Sequence, residues 1–274
     1  MDSATILEEG GFNQLVRGYG GYYLYNVHDM YVGRSIAIYG EYARLEAQFL
    51  EQLYGEGDLI IEVGANIGAH TVTLAKRVGP TGGVLAFEPQ RLMYQILCAN
   101  AALNSLTNVD CYWAAADSTS GSVVVPDVDV HQRNNFGGVS LIDAQHGQRV
   151  PSVVLDEFIF LPRLRLVKID VEGMEDAVIK GAIELIDKFK PFLYVENDRV
   201  DRSMGLMRLI DSLGYTMYWH MPPLFNRDNF FGEEQNIFEN IVSFNMLCVH
   251  RDAKFQPKGL ERITDLTTHP LMKS

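Results

Sequence analysis

Between residues 57 and 220, short apolar runs alternate with segments of helical spacing, and this rhythm narrows the fold more than any other feature of the chain. "DLIIEVGA" is followed by "GAHTVTLAKRVG", "GVLAFEP" by "QRLMYQILCANAALNSL", "LRLVKIDVEG" by "EDAVIKGAIELIDKF", and "PFLYVEN" by "GLMRLIDSLG". "NVDCYWAAA", "YTMYWH" and "IVSFNMLCVH" read as further strands. Strands apolar at nearly every position are buried on both faces, as in a parallel sheet covered by helices on each side. The expected fold class is therefore α/β, a Rossmann-like three-layer sandwich.

The rest of the chain is organised around that domain. Residues 1–56 read as a small N-terminal cap, with strands or a hairpin in the Tyr-rich "GYYLYNVHDMYVG" and in "SIAIYG", then an amphipathic helix in "EYARLEAQFLEQLYG". The cofactor domain is expected over 57–250, with insertions near 118–150 and 221–240, and 251–274 as a tail. The net charge of −12 and the lack of a Lys/Arg cluster argue against a nucleic-acid partner. Three cysteines, Cys98, Cys111 and Cys248, without CxxC spacing, fit a reducing compartment and no disulfide framework or zinc site. The acidic N-terminal stretch does not resemble a signal peptide, and no run approaches ~18 apolar residues. The expectation is a cytoplasmic protein with no membrane partner; a homo-oligomer is compatible with it.

Chemistry concentrates at the strand ends, where ligands bind in an open parallel sheet. In "RLRLVKIDVEGMED", Lys168, Asp170 and Glu172 recur at every second position and would share one face. A solvated strand end, with Lys168 paired to a carboxylate, is the plainer reading. "IIEVGANIGAHT" places Glu62 before Gly64, Ala65 and Asn66, with Gly68 opening a helix. Gly64 permits a tight turn, Gly68 lets the helix start pack against the sheet, and the free N–H groups invite an anion. The spacing is G-x-x-x-G and lacks the middle glycine that a dinucleotide pyrophosphate needs, and Glu62 would repel phosphate. A carboxylate there suits S-adenosylmethionine, which carries an ammonium and a sulfonium. Glu88, followed by Pro89, lies where an acidic residue accepts from ribose hydroxyls. Ala116 would let an adenine lie flat, and Asp117 could accept from its amine. His70 and Thr71 either contact a cofactor carboxylate or cap and pack the first helical turn.

With these residues in hand, the chain resembles the FkbM family of S-adenosylmethionine-dependent methyltransferases over roughly residues 57–250. The resemblance rests on "IEVGANIGAHTVTLA", "LAFEPQ", "LVKIDVEGMEDAVIKGA", "PFLYVEND" and the late "NMLCV" strand. It implies a class I methyltransferase fold: a mostly parallel seven-stranded sheet with an antiparallel last strand, "IVSFNMLCVH", beside "YTMYWH". It implies S-adenosylmethionine as donor and S-adenosylhomocysteine as product. The acceptor would be a hydroxyl on a small molecule, a glycan or a natural product of secondary metabolism, or else an amide or peptide nitrogen. Glu62, Gly64, Ala65, Asn66, Gly68, His70, Thr71, Glu88, Pro89, Ala116, Asp117 and Asp170 would hold the cofactor.

An alcohol needs a base or a metal ion to attack a sulfonium methyl. Asp170, Glu172 and Glu196, with Asp198 close behind, are the carboxylates expected at that junction, Asp170 touching either the methionine moiety or the acceptor. Paired carboxylates can create a base or bind Mg2+ or Ca2+; no residue is assigned as a metal ligand. His220 could serve as base or be an ordinary core or surface histidine. Tyr218, Trp219, Phe225, Phe230 and Phe231, with Asn226, Arg227 and Asn229, could wall the acceptor or belong to the core, and residues 131–140 could form another wall. The rivals are an NAD(P)-dependent oxidoreductase and a non-catalytic S-adenosylmethionine-binding protein.

Overall fold

The structure, a computed structural model, describes residues 4–7 and 10–273; residues 1–3, 8, 9 and 274, which include part of the acidic N-terminal stretch, lie outside the described residues. Strands β1 (Ala4–Ile6), β2 (Asn13–Gly18) and β3 (Gly21–Asn26) form an antiparallel sheet. Helices α1 (Val32–Tyr39) and α2 (Arg44–Leu50) follow. The strand expected in "SIAIYG" is instead the end of α1. Ile36 and Ile38 favour a strand locally, but Val32, Ile36 and Tyr39 share one helix face and bury it. Gly40 closes the helix at φ 70°, its N–H bonding the Ile36 carbonyl.

The main sheet is built from β4 (Leu59–Val63), β5 (Gly83–Phe87) and β6 (Val109–Tyr112), joined by α3 (Ala69–Val78) and α4 (Arg91–Leu103). The chain then leaves it. "NVDCYWAAA" is not one strand: β7 (Ala115–Ala116) joins β8 (Gly121–Val125) and β9 (Gln148–Val153) in a separate sheet. Trp113 pins the exit, its Nε1 donating to the Pro89 carbonyl at 2.9 Å. Strand β10 (Leu166–Ile169) returns to the main sheet, followed by α5 (Glu175–Lys180), α6 (Ile183–Phe189), β11 (Phe192–Glu196) and α7 (Val200–Ser212). The single helix expected over 175–189 breaks at Gly181. A Cβ there would run into the Asp117 carbonyl, and Asp156 caps the new start by accepting from Leu185 N at 2.8 Å. Strands β12 (Tyr215–His220), β13 (Asn245–His250) and β14 (Glu261–Arg262) complete the sheet.

The strand order is β14-β12-β13-β11-β10-β4-β5-β6. From β6 to β11 every pairing is parallel. β13 is antiparallel between β11 and β12, beside β12 as expected. The sheet has eight strands rather than seven, because β14 from the C-terminal segment pairs antiparallel with β12. One face packs on α5, α6 and α7 through residues such as Val167, Val178, Ile186 and Ile210. The other packs on α2, α3 and α4 through residues such as Leu50, Ile60, Leu74 and Leu97. β3 docks on α4: Asn100 and Asn104, one helical turn apart, bond the backbone of Leu24 and Tyr22 and so satisfy an open strand edge. Among the described residues no helix is long and apolar enough to cross a membrane.

Candidate functional site

Sheet order reverses beside β4, which has β5 on one side and β10 on the other, and such a switch point opens a crevice at the carboxyl ends of the strands. Register decides what lines it. Lys168 lies opposite both Glu62 of β4 and Tyr194 of β11, and Glu196 lies opposite Asn245 of β13. By alternation these side chains share the face that further back carries Ile60, Leu166 and Leu247. The apolar face thus turns polar just where the strands end.

From above, α2 adds Glu46, 4% exposed. Its Oε1 lies 3.5 Å from His70 Nε2 and 3.8 Å from Lys168 Nζ. Its Oε2 accepts from Asn245 Nδ2 at 3.0 Å. Lys168, 2% exposed, donates to Asp170 Oδ2 at 3.0 Å. Glu62 Oε2 accepts from Thr71 Oγ1 at 2.6 Å. Burial disfavours the Lys168 charge, but Asp170, Glu46 and Glu62 outweigh it and hold the ammonium protonated. Burial pushes Glu46 and Glu62 up to about 7 against the pull of Lys168. Burial would raise Asp170 too, yet the Lys168 charge and hydrogen bond prevail and hold it below its usual range. His70 is pushed down to about 3 by burial and by Lys168, so its ring is neutral.

The glycine turn fits tightly into this floor. Gly64 sits at φ 83°, and a Cβ there would run into the Asp170 carbonyl. Asn66 N and Gln90 N each donate to one oxygen of Glu88 at 2.8 Å, so one carboxylate ties together the turns after β4 and β5. Burial pushes Glu88 up to about 7, against these two hydrogen bonds. Gly68 starts α3 at φ 81°, but its close neighbour is Leu97 of α4 rather than the sheet.

A cavity of about 420 Å3 stands over the floor, within the range of small-molecule sites. Toward β5 and β6 it is lined by Glu62, Gly64, Ala65, Asn66, Glu88, Pro89 and Ala114 to Ala116. Toward β10 and β11 it is lined by Asp170, Glu172, Glu196 and Asp198, and Val139, Leu141, Leu224, Ile241 and Phe244 supply apolar walls. Tyr31, Tyr42 and Glu46 reach in from the N-terminal segment.

Most of the expected site residues converge here; a few do not. Gly68, Thr71, Asp117 and His220 are absent from the cavity wall. Thr71 is spent on Glu62, and Asp117 turns its carboxylate to Ser118. His220 bonds the Tyr194 hydroxyl through Nδ1 at 2.7 Å and packs 4.1 Å from the Phe49 ring centre. Burial pushes it down to about 4, and it sits behind the cavity wall rather than on it. The three-charge face also changes: β10 ends at Ile169, and Glu172 takes a left-handed φ of 54° and pairs with Arg199 instead of Lys168. None of Tyr218, Trp219, Phe225, Phe230 and Phe231 lines the cavity; Phe225 packs on Tyr39, and Asn226 bonds Glu41. The 131–140 segment does supply wall, through Asn135, Gly137, Gly138 and Val139. Sequence reasoning missed Tyr31, Tyr42, Glu46, Asn245 and Arg199. Glu46 gave no signal of its own, since one acid on an amphipathic helix reads as solvated.

The family described as Methyltransferase FkbM domain matches residues 62–217. Methyltransferase sdnD of Sordaria araneosa is 29% identical over 186 residues, covering 52% of this chain and 71% of that relative. Among solved structures, a methyltransferase FkbM from Methylobacillus flagellatus aligns with a TM-score of 0.46 and 16% identity over 71% of this chain. This chain spans only 44% of that one. A SAM-dependent O-methyltransferase from Thermotoga maritima aligns with a TM-score of 0.47 and 13% identity, over 88% of this chain and 79% of that one. The family match runs from Glu62 at the glycine turn through β10 and β11 into β12, over half of the sequence, and the chain belongs to the FkbM methyltransferase domain family.

Proposed function

We propose that the cavity binds S-adenosylmethionine and that the protein transfers its methyl group to a hydroxyl of a small-molecule or glycan acceptor, with a natural product of largely apolar skeleton favoured. The carrying observation is the charge of the floor. Glu46, Glu62 and Asp170 surround Lys168 beside the Gly64 turn. That excess of carboxylate repels a pyrophosphate and attracts an ammonium and a sulfonium. Glu88 would accept from the ribose hydroxyls, Ala114 to Ala116 would face the adenine, and Glu62 with Asp170 would hold the methionine ammonium. The apolar wall residues Val139, Leu141, Leu224, Ile241 and Phe244 favour an acceptor with an apolar skeleton beside its hydroxyl, which the carboxylates of Glu172, Glu196 and Asp198 would meet.

The acceptor oxygen must lie in line with the C–S bond at about 3 Å. The new O–C bond forms as the C–S bond breaks, its electron pair staying on sulfur as a neutral thioether, while the acceptor gives up a proton. Asp170, held ionised by Lys168, serves as a charge partner rather than a base. Burial and the Asp170 charge push Glu172 up to about 7. Burial and the neighbouring carboxylates raise Glu196 well above its usual range. Glu172, ionised above about 7, would take the acceptor's proton on a carboxylate oxygen.

The test is calorimetric titration of the cofactor-free protein with S-adenosylmethionine, S-adenosylhomocysteine and NAD, with Glu88→Ala alongside. Saturable binding of the first two, weakened at least about tenfold in the variant, supports the reading. Binding of NAD in their place would sink it.

A further inference from the structure

We propose that Glu172, Glu196 and Asp198 form a site for a divalent, oxygen-seeking cation at the acceptor end of the cavity. The three carboxylates leave two adjacent parallel strands, Glu172 just past β10 and the other two at and just past β11. One oxygen from each lies within 4.8 Å of the others. Oxygens bound to Ca2+ at about 2.3–2.6 Å can be up to ~5 Å apart, so the cluster already falls within that span. Mg2+ and Mn2+ would require it to close slightly.

The second observation is Glu196 Oε2, which is sealed from solvent and meets no N–H donor. A buried carboxylate oxygen without a donor is costly and calls for a proton or a cation. The neighbouring cations are engaged elsewhere. Lys168 is held by Asp170 and Glu46. Arg199 reaches Glu172 and Asp198 from the rim, with its side chain 42% exposed, and leaves Glu196 Oε2 unpaired. A single proton relieves one oxygen; a divalent ion would draw on all three carboxylates, two of which Arg199 already meets from the rim. The ion would also sit where an acceptor hydroxyl needs acidifying. That purpose rests on the methyl-transfer reading, whereas the ligand geometry does not.

The experiment titrates Ca2+ calorimetrically into the full chain after chelator treatment, at pH 8, with and without S-adenosylmethionine. Loss of the free Mn2+ resonance signal reports uptake of that ion independently. Glu196→Gln and Asp198→Asn are run beside the wild type, with thermal melts to confirm folding. One saturable ion per chain, weakened at least about tenfold in each variant, is the expected result. Absence of saturable uptake by folded wild-type protein, or uptake unchanged in both variants, overturns the proposal. Ion uptake without cofactor binding would keep the site and remove the methyl-transfer reading. Cofactor binding without ion uptake would do the reverse. A preference for monovalent organic amines over Ca2+ and Mn2+ would also overturn it.

Discussion

Lys168 lies in the main sheet at 2% exposure, opposite Glu62 and bonded to Asp170. Removing one member of a buried ion pair leaves uncompensated charge and costs about 3–5 kcal/mol. Lys168→Met is therefore expected to destabilise the protein by about that much at pH 8, as read by urea unfolding. The loss should shrink at pH 6, because Glu46 and Glu62, already up to about 7, can then protonate. An equal loss at both pH values would mean that packing, not charge, governs this residue. The residue scale also divides what sequence reading could find. Glu62, Glu88, Asp170 and Glu196 were legible because each sits at or beside the end of an apolar strand. Glu46 was not, because a single acid on an amphipathic helix reads as solvated until the helix is docked. Only the fold brings it to Asn245, 199 residues away.

At the scale of elements, the βα rhythm was readable because near-continuous apolar strands have few other homes. The misreadings have tertiary causes. Ile36 and Ile38 signal a strand, yet burial of one helical face outweighs local propensity. The break at Gly181 answers the close backbone of Asp117, and β7 leaves the sheet after Trp113 is tied to Pro89. Neither partner is near in sequence. The β4 turn makes a further expectation. Gly64 combines a positive φ with the Asp170 carbonyl at its open side, so a methyl group must push β4 and β10 apart. Gly64→Ala is expected to cost about 2–4 kcal/mol, from overpacking plus left-handed strain. Cofactor binding should weaken with it, because the same two strand ends carry Glu62 and Asp170. Denaturant unfolding and calorimetric titration would check both effects, and an alanine variant indistinguishable from wild type in each would contradict this account of the crevice.

At the scale of the molecule, the family match begins at residue 62, but the cavity does not. Tyr31, Tyr42 and Glu46 are wall residues, and Val16, Tyr25, Val32 and Ile36 join Ile67, Val72, Met93 and Ile96 in one apolar cluster. A fragment starting at residue 57 should therefore expose that cluster and fail to bind S-adenosylmethionine. A soluble, cooperatively melting fragment with full-chain affinity would show that the N-terminal segment is dispensable.

The charge of the whole cavity sets how stability follows pH. Burial holds Glu46, Glu62, Glu88 and Glu172 at about 7 against an ordinary 4.5. Groups raised by folding contribute stability that is fully present below the unfolded value and is lost as pH rises through the folded one. His70 works the other way: it is about 3 in the fold against 6.5, so its contribution is lost as pH falls below 6.5. Between pH 6.5 and 8 the carboxylates therefore dominate, and the cofactor-free protein should melt at a lower temperature at pH 8. Self-repulsion from the net charge of −12 acts in the same direction, so this trend alone does not locate the cause. The cofactor does. S-adenosylmethionine brings its ammonium and sulfonium to the ionised floor, so its binding should release protons and its stabilising shift should be larger at pH 8 than at pH 6.5. Scanning calorimetry at the two pH values, with and without saturating cofactor, reads that difference directly. A shift that is equal at both, or larger at pH 6.5, would mean that the raised carboxylates do not face the bound cation.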